Sequence, residues 1–217
     1  MAMTGEVQRP AGSRMQTLAR VVPVAVLVVI GIRIAWPYAL LPQEMKEAKT
    51  IQSAHYAIQQ ALFAYAMGSG GPDRQFPAGR TSNEAMRQLF IAHLIDDERL
   101  FEFKGLGRPA HKPDGEKGSD ADGYAAALSP GECVVSYNPG LNLDKSDPAT
   151  PLVWYETQAP SGMHYLICAH VGGNVQIYRS KTGKFPDPDH DDGREVLSPQ
   201  NGVDPLRVLH PEVPEQR

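Results

Sequence analysis

The stretch from Leu18 to Ala66 constrains this chain more than any other. It opens as an apolar run, Leu18 to Leu41, and continues as an amphipathic run, Gln43 to Ala66. A membrane-spanning helix needs about 20 mostly apolar residues. Val21 to Ile32 carries no charge, and the apolar character resumes after Arg33 with Ile34, Ala35, Trp36, Tyr38, Leu40 and Leu41. An arginine inside the bilayer costs about 2.5–3.5 kcal/mol on insertion scales. The flanking apolar residues offset that cost, and the off-centre position lets the side chain reach toward the interface. Trp36 and Tyr38 suit an interfacial aromatic belt, and Arg9, Arg14 and Arg20 keep the preceding segment in the cytoplasm. No small-x-small cleavage site follows Ile32, so the run reads as an uncleaved anchor rather than a signal peptide.

The second half of the stretch has a helical period. Met45, Ala48, Ile51, Ile58, Leu62 and Tyr65 recur at three- or four-residue steps, with Ala54 and His55 in the gap. Pro37 and Pro42 kink the join between the halves. Gly68, Gly70, Gly71 and Pro72 end the helix.

Beyond it, 217 residues allow one domain with an anchor and a tail. A net charge of −4 gives no electrostatic footprint for nucleic acid. Twenty glycines and nineteen prolines fall mostly outside the helices and predict a loop-rich head. Thr81-Ser82-Asn83-Glu84 reads as a capping box opening a second helix that carries Met86, Leu89, Phe90 and Leu94. Asp96-Asp97-Glu98 ends that helix or restarts a turn, and Leu100, Phe101 and Phe103 predict a short extended piece. Gly105 to Gly123 is a long loop. Four strands are then predicted: Glu132 to Tyr137, Pro151 to Glu156, Met163 to Val171 and Asn174 to Arg179. The Gly172-Gly173 pair between the last two is a hairpin signal.

The fold class is therefore α+β: a long N-terminal transmembrane helix whose second half packs on a small antiparallel sheet. Residues 1–17 form a cytoplasmic segment, 18–42 the anchor, 43–179 the head, and 180–217 a Pro-rich, largely extended tail.

This order of elements resembles type IV pilin-like proteins and the pseudopilins of type II secretion systems. The likeness rests on Phe76-Pro77, Thr81-Ser82-Asn83-Glu84, Arg87-Gln88-Leu89-Phe90, Asp96-Asp97-Glu98, Phe101-Glu102-Phe103-Lys104-Gly105, Pro130-Gly131-Glu132, Pro151-Leu152 and Val171-Gly172-Gly173-Asn174-Val175, in that order. It covers roughly residues 43–179. The family carries a Glu at the fifth position after its cleavage site, whereas cleavage after Gly12 would place Thr17 there. The resemblance implies a single-pass protein of the bacterial inner membrane with a periplasmic head. It implies a non-enzymatic subunit that associates with itself or with other pilin-like subunits through the N-terminal helix. The alternative is a membrane-tethered envelope binding protein whose pilin-like head does not polymerise.

Candidate chemistry is sparse. The seven histidines are scattered, with no His-Glu-x-x-His pair, and neither a Gly-x-Ser-x-Gly elbow nor a phosphate loop occurs. No enzyme is expected. His164, Cys168 and His170 share one strand face by period two, but His164 and Cys168 lie roughly 13 Å apart along a strand, too far to share a metal. Cys133 and Cys168 are the one candidate disulfide, in an oxidising envelope compartment. Asp187, Asp189 and Asp191 are spaced as the first, third and fifth positions of a calcium loop, yet Asp192 stands where an EF-hand has Gly and Ser198 where it has Glu. Major pseudopilins bind calcium near the end of the sheet, so the resemblance makes these three aspartates the candidate calcium ligands; no other cofactor is expected. Arg33 in the apolar run needs a partner once subunits leave the lipid. Glu44 and Glu47 lie about 17–21 Å further along a helix, where a staggered neighbour would present them.

Overall fold

The computed structural model describes residues 42–68, 73–103, 112–185 and 195–212. Contacts divide the chain at Pro42, and all the elements below belong to the unit that begins at Gln43. The anchor and Arg33, like the aspartates at 187, 189 and 191, lie outside the described residues. Among the described residues, no helix is long and apolar enough to cross a membrane.

Helix α1 spans Gln43–Gly68, and its buried stripe is Ala48, Ile51, His55, Ile58, Leu62 and Ala66. It lies against a four-stranded antiparallel meander: β1 (Ser136–Tyr137), β2 (Pro151–Gln158), β3 (His164–His170) and β4 (Val175–Ser180), neighbours in that order. Two glutamines two turns apart tie the helix to the last hairpin. Gln52 Nε2 donates to Val175 O at 2.6 Å, and Gln59 Nε2 donates to His170 O at 2.6 Å and Asn174 O at 3.3 Å. The hairpin turn needs its glycines for different reasons. Gly173 sits at φ +93°, and a Cβ on Gly172 would come within 2.8 Å of Pro148 Cβ.

Helix α2 spans Ser82–Ile91 behind the N-cap Thr81, whose hydroxyl accepts the Glu84 N–H at 3.2 Å. The Glu84 carboxylate reaches back one residue further than a standard box, to Arg80 N at 2.8 Å. The helix stops at a left-handed His93 (φ +54°), with Leu94 N bonded to Leu89 O.

Register places two layers on the sheet. Val153, Tyr155, Ile167 and Ala169 face α1 and α2 in the main core. Trp154, Leu166, Cys168 and Tyr178 face the other way, beneath Phe185, Val196 and Val203. The Pro-rich C-terminal segment thus supplies the cover of the second face. Leu209 exchanges both backbone hydrogen bonds with Tyr137, at 2.9 and 3.0 Å, and so covers the β1 edge.

Two predicted extended pieces take other forms. Leu100 to Phe103 does not run as a strand: Asp97 accepts the Arg99 N–H at 2.9 Å and caps a 3-10 turn, Glu98–Phe101. Of the run Glu132 to Tyr137, only Ser136–Tyr137 pairs with β2. Its start is held elsewhere, because the Glu132 carboxylate bonds the backbone of two preceding loops.

Candidate functional site

The predicted site residues are dispersed. Both cysteines are free and buried, Cys133 in the main core and Cys168 on the opposite face of the sheet. The candidate disulfide between them is therefore not formed, because the sheet separates the two thiols. Ser82 Oγ lies 3.8 Å from Cys133 Sγ. Burial pushes the Cys133 thiol up to about 11 and the Cys168 thiol higher still, so neither is a nucleophile at neutral pH. Thiol labelling of unfolded, unreduced protein should count two reactive groups per chain; a count of zero would show a bridge.

Glu44 is occupied within its own chain: Ser161 Oγ donates to it at 2.8 Å and Tyr165 Oη at 3.4 Å. Glu47 accepts Gln43 Nε2 at 2.9 Å. His164, Cys168 and His170 do share a strand, yet Cys168 sits in the apolar cluster and Tyr178 Oη stands 3.4 Å from His170 Nε2.

What the fold brings together was not visible in any local pattern. Glu98, Asp114 and Glu132 come from three separate segments, and one carboxylate oxygen from each lies within 4.8 Å of the others. Glu98 and Glu132 are buried. Their oxygens accept backbone N–H groups: Glu98 from Leu128 at 2.8 Å and Gly115 at 3.1 Å, Glu132 from Asp114 at 2.6 Å and Ser129 at 2.7 Å. Burial pushes the Glu98 carboxyl above its usual range. The Leu128 N–H pulls the other way, and the charges of Glu132 and Asp114 add to the rise. Three such carboxylates are the hard-oxygen donor set that calcium or magnesium accepts, with further oxygens needed to complete six to eight ligands. All four oxygens of the two glutamates already take an N–H, so their first work is to hold Gly115 and Leu128 to Glu98 and Asp114 and Ser129 to Glu132.

In comparisons with family models, curated proteins and solved structures, nothing matches this chain.

The remaining chemistry is in the core. His55 is fully buried on α1; its Nδ1 donates to Ile51 O at 3.2 Å, and its ring stacks on Phe103 with centroids 5.0 Å apart. Its Nε2 has no hydrogen-bond partner among the described residues. Burial outweighs the Ile51 carbonyl and lowers its pKa to about 4. A second feature is a groove of about 370 Å³ on the outer face of the sheet, lined by Trp154 and Glu156 of β2, Ser136 of β1, and Val203, Val208 and His210 of the C-terminal segment. No nucleophile–base pair is assembled there: no hydrogen bond joins Ser136, Glu156 and His210.

Proposed function

We propose that this chain is a non-enzymatic, membrane-anchored, pilin-like subunit of a secretion or pilus-type assembly. The observation that carries the reading is α1. Its 26 residues lie across one face of an antiparallel meander and start, in sequence, directly after the apolar run that ends at Leu41. A helix that is apolar in its first half and amphipathic in its second has two surfaces to cover. The head covers the second. Lipid covers the first until neighbouring copies do, and those copies must then accommodate Arg33.

Glu44 and Glu47, both hydrogen-bonded within their own chain, are the carboxylates that a neighbour staggered by about 17–21 Å would bring to Arg33. Crosslinking of the full chain in membranes tests this. Arg33→Ala should weaken self-association and Arg33→Glu should weaken it more, by about tenfold, the equivalent of 1.4 kcal/mol. Arg14→Ala, outside the apolar run, should leave it unchanged. Equal crosslinking of Arg33→Glu and the parent would overturn the paired-charge stalk and favour a tethered head that does not polymerise.

A further inference from the structure

We infer that the outer edge of β4 is a docking site for an extended, acidic peptide segment of a partner protein, which adds to the sheet as a further strand. The inference goes beyond the proposed assembly role, because it rests on the head alone.

β4 (Val175–Ser180) is the last strand of the sheet, and among the described residues no strand pairs with its far side. The phase of its ladder follows from the hairpin. His170 N donates to Asn174 O at 3.0 Å. Antiparallel pairing then bonds every second residue, so Gln176, Tyr178 and Ser180 bond Cys168, Leu166 and His164. Val175, Ile177 and Arg179 therefore turn their N–H and C=O groups away from β3. Gln52 supports this phase independently, since its Nε2 reaches Val175 O from outside the ladder. That amide closes the edge at Val175. Past it, among the described residues, no group hydrogen-bonds the backbone of Ile177 or Arg179 from that side. Two donors and two acceptors are left, in N–H and C=O pairs about 6.8 Å apart along the strand. Such a row is matched by the backbone of another extended chain.

The side chains along the edge select the segment. From Val171 to Phe185 there are three cations, Arg179, Lys181 and Lys184, all exposed, and no Asp or Glu. Glu44 and Glu47 share the surroundings of Tyr165 with Arg179. They offset Arg179 in part and leave Lys181 and Lys184 as the surplus. On the face toward α1, Ile177 packs against the main core yet stays half-buried. A strand laid beside β4 thus needs an apolar residue opposite Ile177 and acidic residues opposite Arg179 and Lys181. The β4 of a second copy has a suitable backbone but the wrong charge. Pairing Ile177 of each copy with Arg179 of the other sets the two Arg179 side chains on one face at diagonal positions, about 7–8 Å apart. Cations on an edge strand guard against such self-pairing.

The test uses the full chain in detergent micelles, isotopically labelled at the amides of isoleucine and arginine. The probe is acetyl-Glu-Thr-Glu-Thr-Val-amide, which laid antiparallel puts Val opposite Ile177 and the two Glu opposite Arg179 and Lys181. In the free chain the Ile177 and Arg179 amides should exchange rapidly with solvent at every protein concentration. Saturable binding with a Kd below about 1 mM is expected, slowing both amides about tenfold when the peptide is at ten times Kd. N-methylation of the central Glu and the Val, whose N–H groups face β4, should abolish binding. N-methylation of the two Thr, whose N–H groups face away, should leave it saturable. The peptide with Gln in place of Glu should bind at least about threefold more weakly at low salt. Lys181→Glu with Lys184→Glu should erase that preference; both lysines are exposed and follow the strand, so the fold does not depend on them. Slow exchange of Ile177 and Arg179 in the free chain would overturn the assignment. If it grew with protein concentration a second copy would be the occupant, and if not, the chain itself would cover the edge. No saturable slowing up to about 10 mM peptide, equal binding of the two methylated peptides, or equal binding of the Glu and Gln peptides would overturn it as well.

Discussion

Replacing Asn83 with aspartate should destabilise the head by about 3–5 kcal/mol, more than most single substitutions. Asn83 is fully buried in the first turn of α2. Its Nδ2 donates to Leu128 O at 2.8 Å and Ser129 O at 3.1 Å, and its Oδ1 accepts Glu212 N at 2.8 Å. One amide thus joins the second helix, the loop before β1 and the C-terminal segment. Aspartate has nearly the same shape but no donor, so a carboxylate oxygen would face two carbonyls. The helix N-terminus favours a negative charge by about 0.3–1 kcal/mol when exposed. That gain is smaller than the cost of a buried charge opposed by two carbonyl dipoles. Asn83→Ala should cost less, about 2–3 kcal/mol, from lost hydrogen bonds and unsatisfied carbonyls without the repulsion. Urea unfolding is the measurement: the midpoint should fall in both variants with the slope unchanged. The aspartate variant should recover partly in acid, because a protonated carboxyl regains one donor. If Asn83→Asp is no worse than Asn83→Ala at neutral pH, the buried amide is not the joint described.

The same residue shows how far the sequence could be read. Thr81-Ser82-Asn83-Glu84 announced a helix start, and α2 does begin at Ser82. That signal is local, since a hydroxyl and a carboxylate three residues apart satisfy backbone donors within one turn. The period of α1 and the Gly172-Gly173 turn are local in the same sense, and both elements form where the pattern placed them. Asn83's second role is not local, because its partners lie at 128, 129 and 212. Nor is the carboxylate cluster, whose members at 98, 114 and 132 look like ordinary loop charges until the chain folds. Glu132 shows the conflict most plainly. Val134, Val135 and Tyr137 gave the run strand character, yet the Glu132 carboxylate is drawn to Asp114 N and Ser129 N, and pairing begins only at Ser136. The Pro-rich end reads in the sequence as a largely extended tail, whereas its described residues include a 3-10 turn at Pro199–Asn201, and its hydrogen bonds to Tyr137 and Asn83 depend on a sheet edge and a helix that no pattern within it encodes.

Acidification from pH 7 to about 4 should remove about 3 kcal/mol of stability through His55 alone. Above pH 6.5 the ring is neutral in folded and unfolded chains alike and contributes nothing to the pH dependence. Below 6.5 the unfolded chain takes up a proton, while the folded chain, whose His55 pKa is lowered to about 4, does not. The unfolded state then binds more protons, so stability falls with pH by about 1.4 kcal/mol per unit. The loss ends once pH passes below about 4, where the folded ring is protonated too. Glu98 works in the opposite direction: its raised pKa means the folded state takes up a proton more readily, so acidification relieves a cost there. The two are separated by His55→Phe, which keeps a ring against Phe103 and removes the titration. Chemical unfolding of parent and variant at several pH values should give a difference curve that is flat above 6.5 and slopes between 6.5 and 4. The curve should level off in more acid solution. A difference that stays constant from pH 7 to 4 would mean that the folded protein accepts a proton at Nε2 as easily as the unfolded chain does. His55 would then not be the sealed, neutral ring that its place between α1 and Phe103 implies.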